Sequence, residues 1–324
     1  MGSSRVVSYR LTLARSGIRP MAWCLMGVLA GCIMVSRGQS AAAPDPIFQD
    51  CPTCPSMVVV PPGQFVMGED HYSRMRDGSL RPHGPARRID IKRAFAVARF
   101  EVTEAEFTAF VSASGYRIES DCGLSDQELA DTVGRAPAAL PVVCVSWRDA
   151  NAYADWLSQL TGQSYRLLTE AEWEYVALAG STEMWPWGAT AEEICRYANV
   201  LDESAMAVLQ EHPVSRVPGA AANCSDGAAT RSPVGRYAAN AFGVYDMVGN
   251  VWEWVADCSV LPYPDRPTDG SAVLLTSEAC THRAIRGGSW RSRLERQRVT
   301  FRGRDPEDAR SDIFGFRVAR SVSD

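Results

Sequence analysis

Three hydroxyl residues, each followed three positions later by a carboxylate, fix where helices can begin in this chain. They are Thr103 with Glu106, Ser146 with Asp149 and Thr169 with Glu172. In such a pair the hydroxyl accepts the N3 amide while the acid reaches back to the N-cap amide, so two orphan donors are satisfied together. The runs behind them carry apolar faces: Phe107, Phe110 and Val111; Ala150, Tyr153, Ala154 and Leu157; Trp173, Val176 and Ala177. Ahead of the first cap the pattern changes to strands. Met57 to Gly68 predicts a strand, a tight Pro-Pro-Gly turn and a second strand, and Ile89 to Val102 predicts further strands. His71 to Arg88 predicts a loop. Gly180 to Pro233 is loop-rich, with Trp185-Pro-Trp-Gly188 as a stiff aromatic turn. With no repeat, coiled-coil heptad or second hydrophobic unit, the chain predicts one α+β domain with many loops.

The N-terminus reads as an export signal. Residues 1–31 hold Arg5, Arg10, Arg15 and Arg19 but no acid, and an apolar run from Met21 to Val35 follows. That run is short for a comfortable transmembrane helix. Leu29-Ala30-Gly31-Cys32 reads as a lipobox, with Cys32 lipidated as the new N-terminus. The alternatives are a plain signal peptide cut near Ala41-Ala42-Ala43 and a retained anchor. All three export the protein to the periplasm or cell envelope, with membrane contact only through the lipid in the favoured case. Residues 32–56, rich in Ala, Pro, Ser and Gly, predict an unpacked tether, and the folded domain is placed at 57–320.

Eight cysteines remain outside that leader, an even number that in an exported chain predicts disulfides. Pairing of sequence neighbours (51–54, 122–144, 195–224 and 258–280) is the favoured arrangement among many. A redox or metal role for Cys51-Pro-Thr-Cys54 is disfavoured, since it has no partner CxxC. Removing the four leader arginines leaves 29 Lys+Arg against 38 Asp+Glu. An acidic body excludes general nucleic-acid binding. Residues 283–320 nevertheless hold eleven Arg and five acids. Either composition is Arg-biased, Lys92 being the only lysine, or this stretch forms a functional basic surface.

Several ordered blocks carry a family resemblance. They are Met57-Val-Val-Val-Pro-Pro-Gly-Gln-Phe-Val-Met-Gly68, Phe100-Glu-Val-Thr103, Pro141-Val-Val-Cys-Val-Ser-Trp147 and Arg166-Leu-Leu-Thr-Glu-Ala-Glu-Trp-Glu-Tyr175. Pro186-Trp-Gly188, Gly243-Val-Tyr-Asp-Met-Val-Gly-Asn-Val-Trp-Glu-Trp254, Arg286-Gly-Gly-Ser-Trp290 and Phe314-Gly-Phe-Arg-Val318 follow. Together they resemble the formylglycine-generating enzyme, or sulfatase-modifying factor, family. The resemblance implies a loop-rich α+β fold related to C-type lectin domains, with function in a groove built from loops. It also implies two calcium sites. One would use the Asn199 side chain, the Val200 carbonyl, Asp226 and the Ala228 carbonyl. The other would use Asp246, where the family usually has Asn, the Gly249 and Val251 carbonyls, and Glu253. Carboxylates, amides and carbonyls suit such a hard cation. The plain alternative is that Asn199, Asp226 and Asp246 cap turns while Glu253 makes a buried ion pair.

Copper is a different matter. The family's oxidase holds it with two cysteines five residues apart, and here those positions are Ser292 and Gln297. Hydroxyl and amide do not suit Cu(I), so no copper site and no formylglycine generation are expected. His71, His83, His212 and His282 show no HisxxxHis spacing, which removes the non-haem iron chemistry of another subgroup. Trp252 and Trp254 are expected in the core or beside the cleft. Tentative catalytic groups are Ser289 and Ser292. Trp290, Arg291 and Arg293 would contact a peptide or small anionic ligand, with both arginines on one face of an extended segment. Arg310 reads as a solvated loop residue, and Glu174 has no ligand role. The favoured function is an exported modifying or oxidative enzyme with non-copper chemistry. The alternative is a non-catalytic lectin-like module for a peptide or anionic ligand at the cell envelope.

Overall fold

The computed structural model describes residues 47–74, 78–118, 122, 139–211, 221–260, 266–276 and 278–322. The lipobox, Cys32 and the alternative cleavage site lie outside these. All three capping boxes are present and reciprocal. Thr103 opens α1 (Glu104–Ser114), Ser146 opens α2 (Trp147–Thr161) and Thr169 opens α3 (Glu170–Leu178). Each cap contributes on the order of 1 kcal/mol. α1 and α2 stop at Gly115 and Gly162 in the left-handed conformation.

A five-stranded sheet runs in the order β1 (Ile47–Phe48), β2 (Met57–Val60), β7 (Phe95–Ala98), β13 (Val318–Ser321) and β8 (Tyr165–Leu167). Alternation along β7 assigns its two faces. Ala96 and Ala98 face a cluster with Phe107 and Phe110 of α1 and Tyr153 and Leu157 of α2, whereas Phe95 and Val97 join Trp173 and Val176 of α3. A four-stranded sheet, β11 (Gly303–Asp305), β10 (Arg283–Arg286), β9 (Trp252–Cys258) and β12 (Phe314–Phe316), carries the Gly-Gly-Ser and Trp-Glu-Trp blocks on adjoining strands. Trp252 and Trp254 are buried, the latter donating its indole N–H to the Val145 carbonyl at 3.0 Å. They are core residues.

Several expectations are corrected. The tether does not extend to residue 56, because Ile47–Phe48 pairs with Met57–Val58 and Asp50 receives a bidentate fork from Arg320 at 2.7 and 3.1 Å. The predicted loop at 71–88 contains the hairpin β4 (Tyr72–Arg74) and β5 (Leu80–Pro82), and the start of β6 (Arg87–Ile91), which pairs with β3 (Gly63–Met67). Its polar sequence masked strands that bury little. The loop-rich region holds short helices α4 (Ile194–Tyr197) and α5 (Glu203–Glu211). The favoured cysteine pairing is the observed one, 51–54, 122–144, 195–224 and 258–280.

Helix α3 is buried on every side, so its acids require internal partners. Glu170 meets Arg266 and, at 3.1 Å, Arg302. Burial pushes its pKa up, but Arg266, Arg302 and Arg286 together hold it down at about 2. Glu174 accepts the Gly68 amide at 2.6 Å and pairs with the fully buried Arg286, making it a structural anchor of the interior. No helix among the described residues is long and apolar enough to cross a membrane.

Candidate functional site

The loop before β9 turns sharply, and its residue types suit the turn. Asp246 and Asn250 sit in the left-handed region at φ 56° and 50°, which short polar side chains tolerate, and Gly249 has φ 81°. A Cβ on Gly249 would lie 2.0 Å from the Asn199 carbonyl oxygen, so only glycine lets these two segments touch. The Asn250 amide then donates to that same oxygen at 2.8 Å.

This turn gathers three buried carboxylates, Glu101, Asp246 and Glu253, around one buried guanidinium, Arg317. Arg317 forks onto Glu253 at 2.7 Å through both Nε and Nη2, and the Trp173 indole adds a third bond at 2.9 Å. Glu101 accepts from the Asn250 side chain at 2.7 Å and from the Val251 amide at 3.2 Å. Asp246 takes the Gly235 amide on Oδ2 at 2.7 Å, while its Oδ1 is buried without a partner. Burial raises the Asp246 pKa to about 6, with Arg317 opposing and Glu253 adding to the rise. Glu101 is pushed well above the usual range by burial and by Asp246 and Glu253. With Glu101 held on the protonated side, Asp246 and Glu253 face the single guanidinium of Arg317. Of the second expected calcium set, Gly249 and Val251 lie on this turn, and Asp246 is within electrostatic reach of Glu253, whose two oxygens are taken by Arg317 and Trp173. The alternative reading of Glu253 is also realised, since it makes a buried ion pair. Sequence reasoning missed Glu101. Its only signal was its place inside the Phe100-Glu-Val-Thr103 block.

Asn199 links this cluster to the first expected calcium set. Its side-chain N–H group donates to Asn250 Oδ1 at 3.1 Å and to the Thr230 carbonyl at 2.9 Å, leaving its own Oδ1 buried and unpartnered. Asp226 accepts the Val200 and Ala228 amides, each at 2.8 Å, which joins three of the four expected residues and also realises the turn-capping alternative for Asp226. Asp202 lies beside them, accepting the Asp226 amide at 2.6 Å and the Ala205 amide at 2.9 Å. Burial raises the Asp226 pKa to about 6, with a contribution from Asp202. Sequence reasoning missed Asp202, although an Asp ahead of a helical run is a capping signal that could have found it. The sulfur of Cys195 lies close to both carboxylates, but its disulfide to Cys224 removes it as a thiolate ligand. Each set keeps one orphaned buried side-chain oxygen, Asn199 Oδ1 and Asp246 Oδ1, of the hard donor type that calcium prefers. A cavity of about 210 Å³ opens beside Asp246. Trp187 and Tyr197 line it as a stacked pair, 5.0 Å apart and 7° from parallel.

The Gly-Gly-Ser block leads into a tight turn. The Ser292 amide donates to the Ser289 carbonyl at 2.8 Å, and the two hydroxyls lie 2.9 Å apart. Gln297, at the end of a short 3₁₀ turn (Leu294–Gln297), donates Nε2 to the carbonyls of Ser289 and Ser292 at 2.8 and 3.0 Å. All three residues are buried. Among the described residues no His, Lys or carboxylate bonds either hydroxyl, the kind of partner that activates a serine nucleophile. Trp290 is packed against Leu201, Ala205 and Leu209.

The turn also corrects the expected alternation of Arg291 and Arg293. Arg291 forks onto Asp312 at 2.8 and 2.6 Å, whereas Arg293 has only Glu295 nearby, at 3.8 Å. Arg310 is not solvated. It forks onto the buried Asp149 at 3.0 and 3.1 Å, bracing the cap of α2.

Comparison with known proteins agrees with this architecture. Residues 43–322 match the Sulfatase-modifying factor enzyme 1-like domain. The chain is 29% identical to a formylglycine-generating enzyme of Bos taurus, covering 87% of this chain and 79% of that one. It is 32% identical to an inactive C-alpha-formylglycine-generating enzyme 2 of Mus musculus, covering 83% and 86% respectively. The solved structure of PvdO from Pseudomonas aeruginosa superposes with a TM-score of 0.68 at 35% identity, covering 86% of this chain and all of that one.

Proposed function

The chain belongs to the sulfatase-modifying factor family, and from that premise we propose that it is an exported member that binds an anionic peptide or small molecule in its loop groove without generating formylglycine. One observation carries the reading. Ser292 and Gln297, which the resemblance aligns with the family's two thiols, are tied together by Gln297 Nε2 donating to the Ser289 and Ser292 carbonyls. Hydroxyl and amide oxygens are poor donors for Cu(I), and the buried serines have no base among the described residues. The likeness to a relative named inactive supports the same view. Calcium would occupy both cradles through Asn199, Val200, Asp226 and Ala228, and through Asp246, Gly249, Val251 and Glu253. When bound it supplies charge neutralisation that stabilises the loops. The lipobox supports anchoring at the cell envelope through Cys32, which Cys32→Ala would release.

A second reading, modification of a bound substrate by non-copper oxidative chemistry, is supported by the likeness to relatives named formylglycine-generating enzymes. One preparation tests both. Purified mature protein is analysed for metals and then incubated with a sulfatase-motif peptide, copper and oxygen. Calcium without redox metal and an unmodified peptide by mass spectrometry are expected. Formylglycine in the peptide would overturn the proposal, and a stoichiometric redox metal would favour the second reading.

A further inference from the structure

The arginines of residues 283–320 divide into two groups. Eight of the eleven reach a carboxylate: Arg283 meets Glu307, Arg286 Glu174, Arg291 Asp312, Arg298 Glu69, Arg302 Glu170, Arg310 Asp149, Arg317 Glu253 and Arg320 Asp50. The rest behave differently. Arg296 makes no hydrogen bond or ion pair among the described residues, although its Nε is buried. Arg293 also has a buried, unbonded Nε and only the distant contact to Glu295. A buried N–H without a hydrogen bond is unfavourable, and one short turn carries two such donors on part-exposed side chains that an anion could reach.

Their surroundings favour an anion further. Arg293 sits at the N-terminal edge of the 3₁₀ turn that carries Arg296. The Arg296 guanidinium lies 5.8 Å from the Phe301 ring centroid, and Arg81 crosses from β5 to donate to the Arg302 carbonyl at 3.2 Å, next to that ring in sequence. Arg304 follows on β11, exposed. Burial, then Arg293 and Arg81, lower the Arg296 pKa against the opposing pull of Glu295 and Asp305. Asp305 offsets this only in part, because burial lifts its own pKa to about 6 despite Arg81, Arg296 and Arg304. The cluster adjoins the proposed groove: a Cβ on Gly288 would lie 3.0 Å from the Arg296 carbonyl oxygen.

We propose that Arg293 and Arg296, with Arg81 at their side, form an oxyanion-binding site that takes the phosphate or carboxylate group of a small ligand. Planar forks match both groups, and two unbonded Nε–H donors supply the first contacts. The proposal rests on the reading of the loop groove as the functional surface and narrows its ligand to an oxyanion.

Titration calorimetry of the purified protein without free calcium, at fixed ionic strength in an amine buffer, tests it with inorganic phosphate in one arm and succinate, a weak calcium ligand, in the other. Saturable binding of at least one is expected, and the tighter arm identifies the preferred group. Arg296→Gln and Arg293→Gln should each weaken it tenfold or more, and Arg296→Lys should fall between. Arg196→Gln, an exposed residue on α4, should leave it unchanged. Melting curves give an independent readout: the anion should raise the wild-type melting temperature, whereas Arg296→Gln should fold normally and lose that rise. No saturable binding, or equal weakening at Arg196 and Arg296, would overturn the site. A destabilised Arg296→Gln with an intact anion response would show instead a purely structural arginine. Peptide conversion with anion binding intact would overturn the proposed function alone.

Discussion

Replacing Asp246 with Asn should make the calcium-free protein more stable while weakening its response to calcium. Asp246 is buried at 3% exposure near Glu253, with Arg317 as the opposing charge. Its folded pKa, raised by burial to about 6, stands about two units above the ordinary aspartate value. The direction of linkage follows. A carboxylate whose folded pKa is raised favours the native state below the unfolded pKa, near 4, and that contribution is lost as pH rises through about 6. At pH 7.5 the ionised group therefore destabilises the metal-free fold by roughly 3 kcal/mol, at about 1.4 kcal/mol per unit. Asn keeps an oxygen for the Gly235 amide and tolerates the same left-handed backbone, so it removes the charge with little else. The variant should melt about 6–12 °C higher in chelator, using roughly 2–4 °C per kcal/mol. Its advantage should vanish near pH 4. Calcium should reverse the order of effects. Wild type gains about 2.7 kcal/mol at a hundredfold excess over Kd, and the variant gains less because the cluster attracts a cation less strongly. Scanning calorimetry between pH 4 and 7.5, with EGTA or calcium, reads all of this. A chelated variant that melts at or below wild type at pH 7.5 would refute the excess-charge reasoning. Wild-type curves unmoved by chelation would remove the calcium assignment.

Two further variants probe the same framework. Gly249→Ala places a Cβ 2.0 Å from the Asn199 carbonyl oxygen at φ 81°, so denaturant unfolding should show a loss above about 3 kcal/mol; a smaller loss would mean that the two cradles can separate freely. Arg310→Ala leaves the buried Asp149 without its fork and should destabilise by about 3 kcal/mol, whereas Arg196→Ala on the exposed surface should change stability by less than about 0.5 kcal/mol. Equal effects in urea titrations would restore the solvated reading of Arg310.

The sequence by itself determined what depends on neighbours along the chain. The three capping boxes were legible because a cap spans only three residues, and the cysteine pairing was legible because each cysteine found the next one, 3 to 29 positions away. Ordered blocks identified the family, and with it the residues proposed for two calcium sites. Charge could not be read in this way. Residues 283–320 appear strongly basic, yet most of their arginines are neutralised by acids from elsewhere: Arg320 by Asp50, 270 positions away, Arg298 by Glu69, 229 away, and Arg310 by Asp149, 161 away. Sheet order decides those partners, since β13 lies between β7 and β8 and carries the C-terminus back to the start of the domain. The same long-range packing made Glu174 and Glu253 interior ion pairs and turned Arg291 onto Asp312. It left Arg293 with Glu295 at 3.8 Å and Arg296 with no paired carboxylate among the described residues, because an ion pair forms only where the backbone delivers both charges.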